Sequence, residues 1–379
     1  MTIYLDNAAT TRLDEGVLEA MLPYFRERYG NPGSLHRLGA EAEAGLVRAR
    51  EQVALALTAA PEEVVFTSGG TEANTLAILG AARARKRRGD HVITSQVEHA
   101  CVRQAMATLE AEGFEVTSLP PGELTPAAVA AAVTSKTVLV SVMHVNNETG
   151  EVFPIREIAR AAKAASKKLA VHSDGVQAFG KLPPPGPEVD LYALSGHKVH
   201  GPKGTGALCV RRGTHLVPLV VGGGQERGLR GGTEGVPQLV GLGAAAELAA
   251  QTRAAFAASL REQGQALRAG IEALGGVINS PPGASWVGSI LNASFPGLAA
   301  EVLLHALEEA GVYTSTTSAC ASRRGKTSHV LAAMGLSEER LTSALRFSLS
   351  RETSADEIAA ALTAIEAATK ALRAAPTGG

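Results

Sequence analysis

Short β-rich runs alternate with helical runs through most of the chain, and this alternation constrains the fold more than any other feature. It is typical of a mainly parallel sheet covered by helices on both faces. The sequence therefore predicts an α/β protein. The predicted strands are Glu63–Thr67, His91–Ser95, Phe114–Leu119, Thr137–Val145, Leu169–Ser173, Leu191–Leu194 and Gly206–Arg211. The helices predicted between them include Glu72–Arg88, His99–Glu112 and Ile155–Lys168.

The pattern changes after a glycine-rich stretch at 222–233. A long Ala/Leu/Glu helix is predicted from about Val236 to Leu274, and shorter strands and helices follow it. We interpret this part as a smaller α+β domain on which the first residues of the chain pack. The predicted large domain is 16–244, and the small domain is 1–15 with 245–379. The later elements are strands near Ser289–Phe295 and Leu345–Leu349 and helices near Ala299–Ala310 and Ser354–Leu372.

Composition narrows the class of protein. Of 379 residues, 45% are hydrophobic and 19% are charged, which is typical of a globular chain rather than a disordered one. The formal net charge of -1 gives no overall field for nucleic acid or an anionic membrane, so neither is expected as a direct partner. The basic run 83–88 is interpreted as the solvated end of a helix.

The N-terminus has no signal-peptide pattern, and no window is long and apolar enough for a membrane span. The three cysteines, Cys101, Cys209 and Cys320, lie far apart and form no CxxC motif. A reducing cytoplasm is therefore the expected location.

Polar and glycine-rich segments follow several of the predicted strands. They are Ser68–Thr71, Asn146–Glu148, Asp174–Gly175 and Ser195–His197. Ligands of open α/β sheets bind beyond the carboxyl ends of the strands. We therefore expect these segments to meet in one crevice.

Lys198 follows directly after the strand end Ser195-Gly196-His197. An amine fixed at such a position, beside a hydroxyl and an imidazole, suits a Schiff base with pyridoxal phosphate. The alternative is a surface lysine in a turn.

Asp174, at another strand end, is placed to pair with a protonated pyridine nitrogen, which keeps such a ring an electron sink. Gln177 and Asn147 are candidate donors to the ring oxygen. A turn aspartate and two ordinary polar loop residues are the alternatives.

The loop Thr67–Asn74 joins a strand to a helix and has the glycines that let backbone N–H groups approach a phosphate at a helix N-terminus. Gly70 and Thr71 are its candidate ligands, with Ser195 and His197 as further ones. Thr71 is also a candidate N-cap.

His99 begins the helix after another strand, where an imidazole can lie on an aromatic cofactor or simply cap the helix. Arg346 is a charge inside a β-like run. A buried arginine needs an anionic partner, either a substrate carboxylate or a structural salt bridge.

Cys320 lies in a small, polar and basic segment with no helical or strand period, which predicts an accessible loop. Arg323, Arg324 and Lys326 would favour its thiolate. The alternative is an incidental loop cysteine. Cys209 is predicted to be a core residue of a strand. Cys101 is predicted to lie on a helix near the cofactor, with no evident role.

Taken together, these residues resemble the cysteine desulfurases of the class V aminotransferase family, in the nitrogen-fixation and iron–sulfur-cluster branch, which have pyridoxal phosphate fold-type I. The resemblance extends over essentially the whole chain. Its motifs are Tyr4–Thr11, Gly30–Ser34 with His36, Phe66–Glu72, Glu98-His99, Met143–Glu148, Ser195–Lys198 with Gly201–Gly204, and Ser318–Cys320.

The resemblance implies a role for each candidate. Lys198 would carry the cofactor and Asp174 would bind its ring nitrogen, with His99 stacked on the ring. Cys320 would accept sulfur from L-cysteine. Asn147 and Gln177 would bind the ring oxygen. The phosphate would be bound by Gly70, Thr71, Ser195 and His197, with Thr233 from the second subunit of a homodimer. Arg346 and Asn31 would bind the substrate carboxylate.

Some residues depart from the family pattern. Thr317 stands where glycine is common, Gly175 stands where alanine is usual, and the loop around Arg323 is unusually basic. The first two leave the expected chemistry intact.

The expected reaction converts L-cysteine to L-alanine and leaves a persulfide on Cys320, for transfer to an iron–sulfur scaffold or a tRNA-thiolation protein. Three alternatives remain open at this stage: a class V aminotransferase, a selenocysteine or cystine lyase, and a non-enzymatic scaffold of a sulfur-transfer assembly. An aminotransferase would not need Cys320, and a scaffold would not need both Lys198 and Cys320.

Overall fold

The computed structural model describes residues 2–316 and 327–374. By their internal contacts the residues group into two compact units. The sheet unit comprises 12–144 and 153–253, and the terminal unit comprises 1–11, 145–152 and 254–379. The predicted domain limits, 16–244 against 1–15 with 245–379, did not anticipate that 145–152 groups with the two ends of the chain. Those limits stay a prediction, because contacts alone do not define parts that fold independently.

Strands and helices alternate through most of the part of the chain that the structure describes. Its strands, from both units, are β1 (Ile3–Tyr4), β2 (Val64–Thr67), β3 (His91–Ser95), β4 (Glu115–Leu119), β5 (Thr137–Ser141), β6 (Ala170–Asp174), β7 (Leu191–Ser195), β8 (Gly206–Val210), β9 (Val277–Ile278), β10 (Ile290–Ser294), β11 (Val312–Tyr313) and β12 (Ala344–Ser348). The helices are α1 (Glu15–Arg26), α2 (Arg37–Ala56), α3 (Gly70–Ala84), α4 (Ala100–Ala111), α5 (Pro126–Ala132), α6 (Ile155–Ala165), α7 (Val236–Ala273), α8 (Ala300–Glu309), α9 (His329–Ala333), α10 (Glu338–Thr342) and α11 (Ala355–Ala374).

The sheet unit is built on one sheet with the strand order β2-β8-β7-β6-β5-β3-β4. Neighbouring strands from β7 to β4 are parallel, whereas β8 is antiparallel to both β7 and β2. All residues of the central strands β5, β6 and β7 are buried, as a sheet covered on both faces requires. The predicted α/β fold with a large, mainly parallel sheet is confirmed.

Three predicted elements end at least three residues earlier than expected. The strand predicted at Thr137–Val145 ends at Ser141, the helix predicted at Glu72–Arg88 ends at Ala84, and the helix predicted at Ile155–Lys168 ends at Ala165. The apolar run continues past Ser141, but Val145 forms an isolated bridge with Val152 instead of extending the strand. In the basic run 83–88, which begins in the last turn of α3, Arg83 pairs with Glu112, and Lys86 Nζ lies 3.7 Å from the centre of the Phe114 ring. This arrangement agrees with the solvated helix end that the sequence predicted.

The terminal unit joins the first residues of the chain to the last. Strand β1 is parallel to β11, and β10 lies antiparallel between β9 and β12. Its core includes the fully buried rings of Trp286, Phe295 and Phe347. None of the helices within 2–316 and 327–374 has the length and apolar composition needed to cross a bilayer.

Candidate active site

Lys198 lies in a tight turn at the end of β7. Strand β7 ends at Ser195, and residues Gly196–Lys198 form a single 3₁₀ turn. The turn is closed by hydrogen bonds from the backbone N–H groups of Val199 and Gly201 to the carbonyl of Gly196. A Cβ added to Gly196 would lie 2.4 Å from Thr205 Oγ1, so the turn requires glycine. The lysine is therefore attached to a rigid part of the backbone.

Asp174 is the last residue of β6, the strand beside β7, and its side chain is buried. Its carboxylate accepts hydrogen bonds from the backbone N–H of Val176 at 3.0 Å and from Asn74 Nδ2 at 2.7 Å. Burial raises the pKa of Asp174, while the charges of His99 and Lys198 act in the opposite direction. Asp174, His99 and Lys198 thus lie within electrostatic range of one another.

His99 is the N-cap of α4, and its Nδ1 accepts a hydrogen bond from the backbone N–H of Cys101 at 3.2 Å. The Cys101 Sγ lies 3.0 Å from the same nitrogen. Burial lowers the pKa of His99. His99 therefore caps the helix and also lies near Asp174, so a capping role does not exclude a role at the cofactor.

The predicted phosphate loop brings glycine backbones close together at the start of α3. Gly69 caps the helix with a φ of 153°, and a Cβ on Gly206 would lie 2.6 Å from its carbonyl carbon. A Cβ on Gly70 would approach Ser195 Cβ to 3.5 Å, so these two candidate ligands are neighbours. The prediction that Thr71 is the N-cap is wrong. The helix starts at Gly70, because glycine adopts this backbone conformation more readily than threonine.

Gln177 is buried, and its Oε1 accepts a hydrogen bond from Lys181 Nζ at 3.1 Å. This contact assigns the amide oxygen to the side of Lys181 and makes Nε2 the group left for other partners. His197 is partly buried, and burial lowers its pKa to about 4, with Lys198 and Lys203 acting in the same direction.

The segment 222–233, which carries Thr233, is held to the sheet unit by two ion pairs. Glu226 accepts two hydrogen bonds from Arg50, at 2.7 and 2.8 Å, and a third from the backbone N–H of Phe66. Arg230 Nε donates to Glu72 Oε1 at 3.0 Å. Thr233 itself is exposed.

In the terminal unit, the buried Arg346 of β12 forms an ion pair with Asp6 at 2.8 Å and donates to the carbonyl of Asn147 at 3.0 Å. Nε of Arg346 is buried and has no hydrogen-bond partner among the described residues. The structural salt bridge that the sequence left open is therefore present, and one donor of the guanidinium remains. Asn31, in the sheet unit, is exposed, and its Oδ1 accepts from the backbone N–H of Gly33.

Cys320, with Arg323, Arg324 and Lys326, lies outside the described residues. After that stretch, Ser328 caps α9 and donates a hydrogen bond to the buried Glu148. The other two cysteines are free thiols. Burial raises the pKa of Cys101 to about 12 and that of Cys209 to about 11. Cys209 is a buried residue of β8, as predicted.

Sequence reasoning missed the buried side chains around Asp174. Asn74 donates to its carboxylate, and His172 lies behind Asn74. Two signals were available. His172 is two residues before Asp174 in a strand, so both lie on one face. Asn74 is a buried amide in a helix that is otherwise apolar at its buried positions.

The Aminotransferase class-V family matches residues 3–361. The chain belongs to this family, as the sequence predicted.

Within the family, several similar proteins are named cysteine desulfurase. The "Cysteine desulfurase IscS" of Anaeromyxobacter dehalogenans (strain 2CP-C) is 45% identical over 371 residues, covering 94% of this chain and 89% of the relative. A solved structure titled "NIFS-LIKE PROTEIN" has a TM-score of 0.91 at 37% identity and covers 97% of this chain and 99% of its own. A second, titled "SspA in complex with cysteine", has a TM-score of 0.81 at 36% identity and covers 93% and 100%.

Proposed function

We propose that this chain is an L-cysteine desulfurase that uses pyridoxal phosphate. Relatives of this name at 43–45% identity bear out the activity predicted from the sequence. The observation that carries the proposal is the cluster at the carboxyl ends of the neighbouring parallel strands β6 and β7, where the buried Asp174 ends one strand and Lys198 lies in the turn that follows the other.

The residues at this cluster fit the cofactor. A buried carboxylate needs a cationic or hydrogen-bonding partner, and a protonated ring nitrogen is one. The start of α3, where Gly69, Gly70 and Gly206 approach closely, has the backbone geometry and helix N-terminus that favour a phosphate. Thr71, Ser195 and His197 are the proposed further phosphate ligands. Gln177 and Asn147 are proposed for the ring oxygen.

Pyridoxal phosphate, when bound, supplies an aldehyde that captures amines and a ring that withdraws electrons from the substrate carbon. Lys198 would hold the cofactor and move the Cα proton of the substrate. Asp174 would keep the proton on the ring nitrogen, and His99 would contact the ring. The chain's own contribution is thus to position the cofactor and to transfer protons.

Arg346 and Asn31 are proposed to bind the substrate carboxylate. The support for Arg346 is its buried Nε, which has no partner among the described residues while both terminal nitrogens are occupied. A charged donor in this state favours an incoming anion.

Cys320 is proposed as the sulfur acceptor. Its thiolate attacks the substrate Sγ, so that an S–S bond forms as the Cβ–Sγ bond breaks. The electron pair of the broken bond stays with the carbon fragment, which takes up a proton and leaves as L-alanine. The support is partly by comparison: burial raises the thiol pKa of Cys101 and Cys209, which makes both poor nucleophiles.

The chain is further proposed to act as a homodimer in the cytoplasm. Thr233 of the partner subunit would contact the cofactor phosphate, and the exposed position of this residue permits such a contact. An iron–sulfur scaffold or a tRNA-thiolation protein would receive the sulfur. The free thiols of Cys101 and Cys209 are consistent with a reducing compartment.

The proposal is tested by incubating the purified protein with L-cysteine and assaying sulfide and alanine with and without reductant. The protein should be yellow, borohydride should attach the cofactor to Lys198, and Lys198→Ala should abolish turnover. A protein with Lys198 intact that cannot be reconstituted with pyridoxal phosphate would refute the proposal.

The three cysteines are compared in parallel. After a brief pulse of cysteine, mass spectrometry should find one added sulfur atom on the peptide that contains Cys320. Cys320→Ser should bind cofactor and substrate but release almost no sulfide, whereas Cys101→Ser and Cys209→Ser should still form the persulfide. Normal desulfuration by Cys320→Ser would point to a lyase or an aminotransferase instead.

A further inference from the structure

A continuous hydrogen-bonded chain of buried side chains lies behind Asp174 in the sheet unit. Asn74 Nδ2 donates to Asp174 Oδ2 at 2.7 Å, and Asn74 Oδ1 lies 3.0 Å from His172 Nε2. The other nitrogen of His172 lies 2.9 Å from Ser141 Oγ. The residues come from α3, β6 and β5, and all are buried. None of these contacts is needed by the roles proposed so far.

The hydrogen-bond partners fix the direction of this chain. Since Asn74 donates through Nδ2, its Oδ1 is an acceptor, and His172 must carry its proton on Nε2. Nδ1 of His172 then accepts from the hydroxyl of Ser141. Burial lowers the pKa of His172 to about 3, so the ring is neutral and has one proton to place. Ser141 and His172 together therefore prevent the Asn74 amide from rotating by half a turn and exchanging its oxygen and nitrogen atoms.

Asn74 also reaches the second residue expected at the cofactor. Its Nδ2 lies 3.5 Å from the Sγ of Cys101, which in turn lies 3.0 Å from His99 Nδ1. The Nδ1 of His99 accepts a hydrogen bond from the backbone N–H of Cys101, so the proton of a neutral ring is on Nε2. One amide is thus linked to both Asp174 and His99.

We propose that Asn74 is a positioning residue for the cofactor: oriented by His172 and Ser141, its amide holds the Asp174 carboxylate as a hydrogen-bond acceptor and holds the Cys101 side chain beside His99. This inference rests on the proposed function, because it assigns Asp174 to the ring nitrogen. Asn74 does not touch the cofactor in this proposal; it acts on the residues that do.

Replacing Asn74 by leucine removes both donors and the acceptor at similar size. Asp174 then loses a hydrogen bond to its charged carboxylate. This loss should weaken the binding of pyridoxal phosphate to the cofactor-free protein roughly tenfold. It should also shift upward, by roughly one pH unit, the titration of the visible absorption band of the bound cofactor. A ring nitrogen that keeps its proton less firmly withdraws fewer electrons and leaves the nitrogen bonded to Lys198 more basic.

Other ionisable groups near Asp174 also contribute to the titration. Except for His172, they are the same in the wild type and in all the variants, so differences between variants report on Asn74 and His172. Besides His99, these groups are Lys198, Glu98, Cys101, Tyr192 and His144.

His172 allows a test that does not depend on the folding of the Asn74 variant. His172→Leu should cause the same upward shift and weaker binding. His172→Gln should restore both values towards the wild type, because an amide can donate to Asn74 Oδ1 and accept from Ser141.

His91→Leu is the matched control. His91 is also buried and hydrogen-bonded to hydroxyl groups, those of Thr117 and Thr137, but it is the first residue of β3, at the strand's amino end. Its replacement should leave the cofactor affinity and the titration unchanged.

The outcomes separate the two proposals. If the wild-type protein does not bind pyridoxal phosphate, the proposed function itself is wrong. If the wild type binds and turns over cysteine, but Asn74→Leu folds with unchanged affinity and titration, the role of Asn74 is refuted. If Asn74→Leu does not fold, identical behaviour of His172→Leu and His172→Gln refutes the orienting chain.

Discussion

Gly175 and Tyr192 fit together only because Gly175 lacks a side chain. A Cβ at Gly175 would lie 2.1 Å from Cζ of the Tyr192 ring. The Tyr192 hydroxyl is 2.9 Å from His144 Nδ1, and the ring lies beside the turn that follows Asp174. The glycine that follows Asp174 is therefore explained by the tyrosine on the neighbouring strand.

Gly175→Ala should destabilise the protein by about 1 to 3 kcal/mol, because a fully buried aromatic ring has to move. Tyr192→Leu should reduce this penalty, so that the double variant is more stable than the two single changes predict. Denaturant unfolding of the four proteins measures the coupling. Gly122→Ala, where an added Cβ meets nothing within 4 Å, is the control and should be neutral. Strict additivity would contradict this account.

Glu98 should make stability depend on pH. Burial raises its pKa to about 8 from 4.5, although hydrogen bonds from Ser95 and from the Met143 N–H lower it. Between these values the folded protein holds a proton that the unfolded chain has released, so the stability from this group falls as pH rises.

Relative to the wild type, Glu98→Gln should therefore gain stability as pH is raised from about 6.5 to 8. Urea unfolding of both proteins across this range measures the difference. The exposed Glu123→Gln is the control and should track the wild type at every pH. A constant difference between Glu98→Gln and the wild type would show that Glu98 is ionised in the folded protein.

Lys181 should affect cofactor binding through Gln177. Lys181→Met removes the cation that donates to the amide oxygen, which weakens the preference of the amide for presenting its Nε2 group to the ring oxygen. The affinity of the cofactor-free protein for pyridoxal phosphate should fall several-fold, by roughly 1 kcal/mol for one hydrogen bond. The exposed Lys167→Met should bind normally. Equal affinities of the two variants would contradict the prediction.

The proposed role of Thr233 across a dimer interface predicts complementation between subunits. Lys198→Ala and Thr233→Ala chains should each be impaired alone. A hybrid dimer has one site with Lys198 intact and Thr233 supplied by the other chain, and should recover roughly half of the wild-type activity. Co-expression with two affinity tags isolates the hybrid. Activity no higher than the mean of the two parents would place Thr233 in its own subunit's site.

Sequence reasoning succeeded where a local pattern reflects a local cause. The positions of β3, β6 and β7 follow from short apolar runs that end in polar residues, and the parallel sheet follows from their alternation with helices. The family follows from motifs whose order along the chain is specific. Lys198 and Asp174 could be identified from the sequence because Asp174 ends one such run and Lys198 lies in the turn that follows another.

The parts that were missed depend on contacts between distant residues. Asn74 and Asp174 are joined only when α3 packs beside β6; the local sequence marks Asn74 as an amide among apolar positions but does not identify Asp174 as its partner. The start of α3 was misjudged for a different reason. Threonine is a common N-cap, but the close approach of Gly206 to Gly69 decides where the helix begins.

The pairing of β1 with β11 has a consequence for the order of events during synthesis. Ile3 and Tyr4 are synthesised before the sheet unit, whereas their partners Val312 and Tyr313 are synthesised after it. Asn7 likewise has its acceptor, the carbonyl of Ser348, only after the sheet unit has been made. Strand β1 therefore has no strand partner while the sheet unit is being synthesised, and the terminal unit can close only after its last strand has emerged.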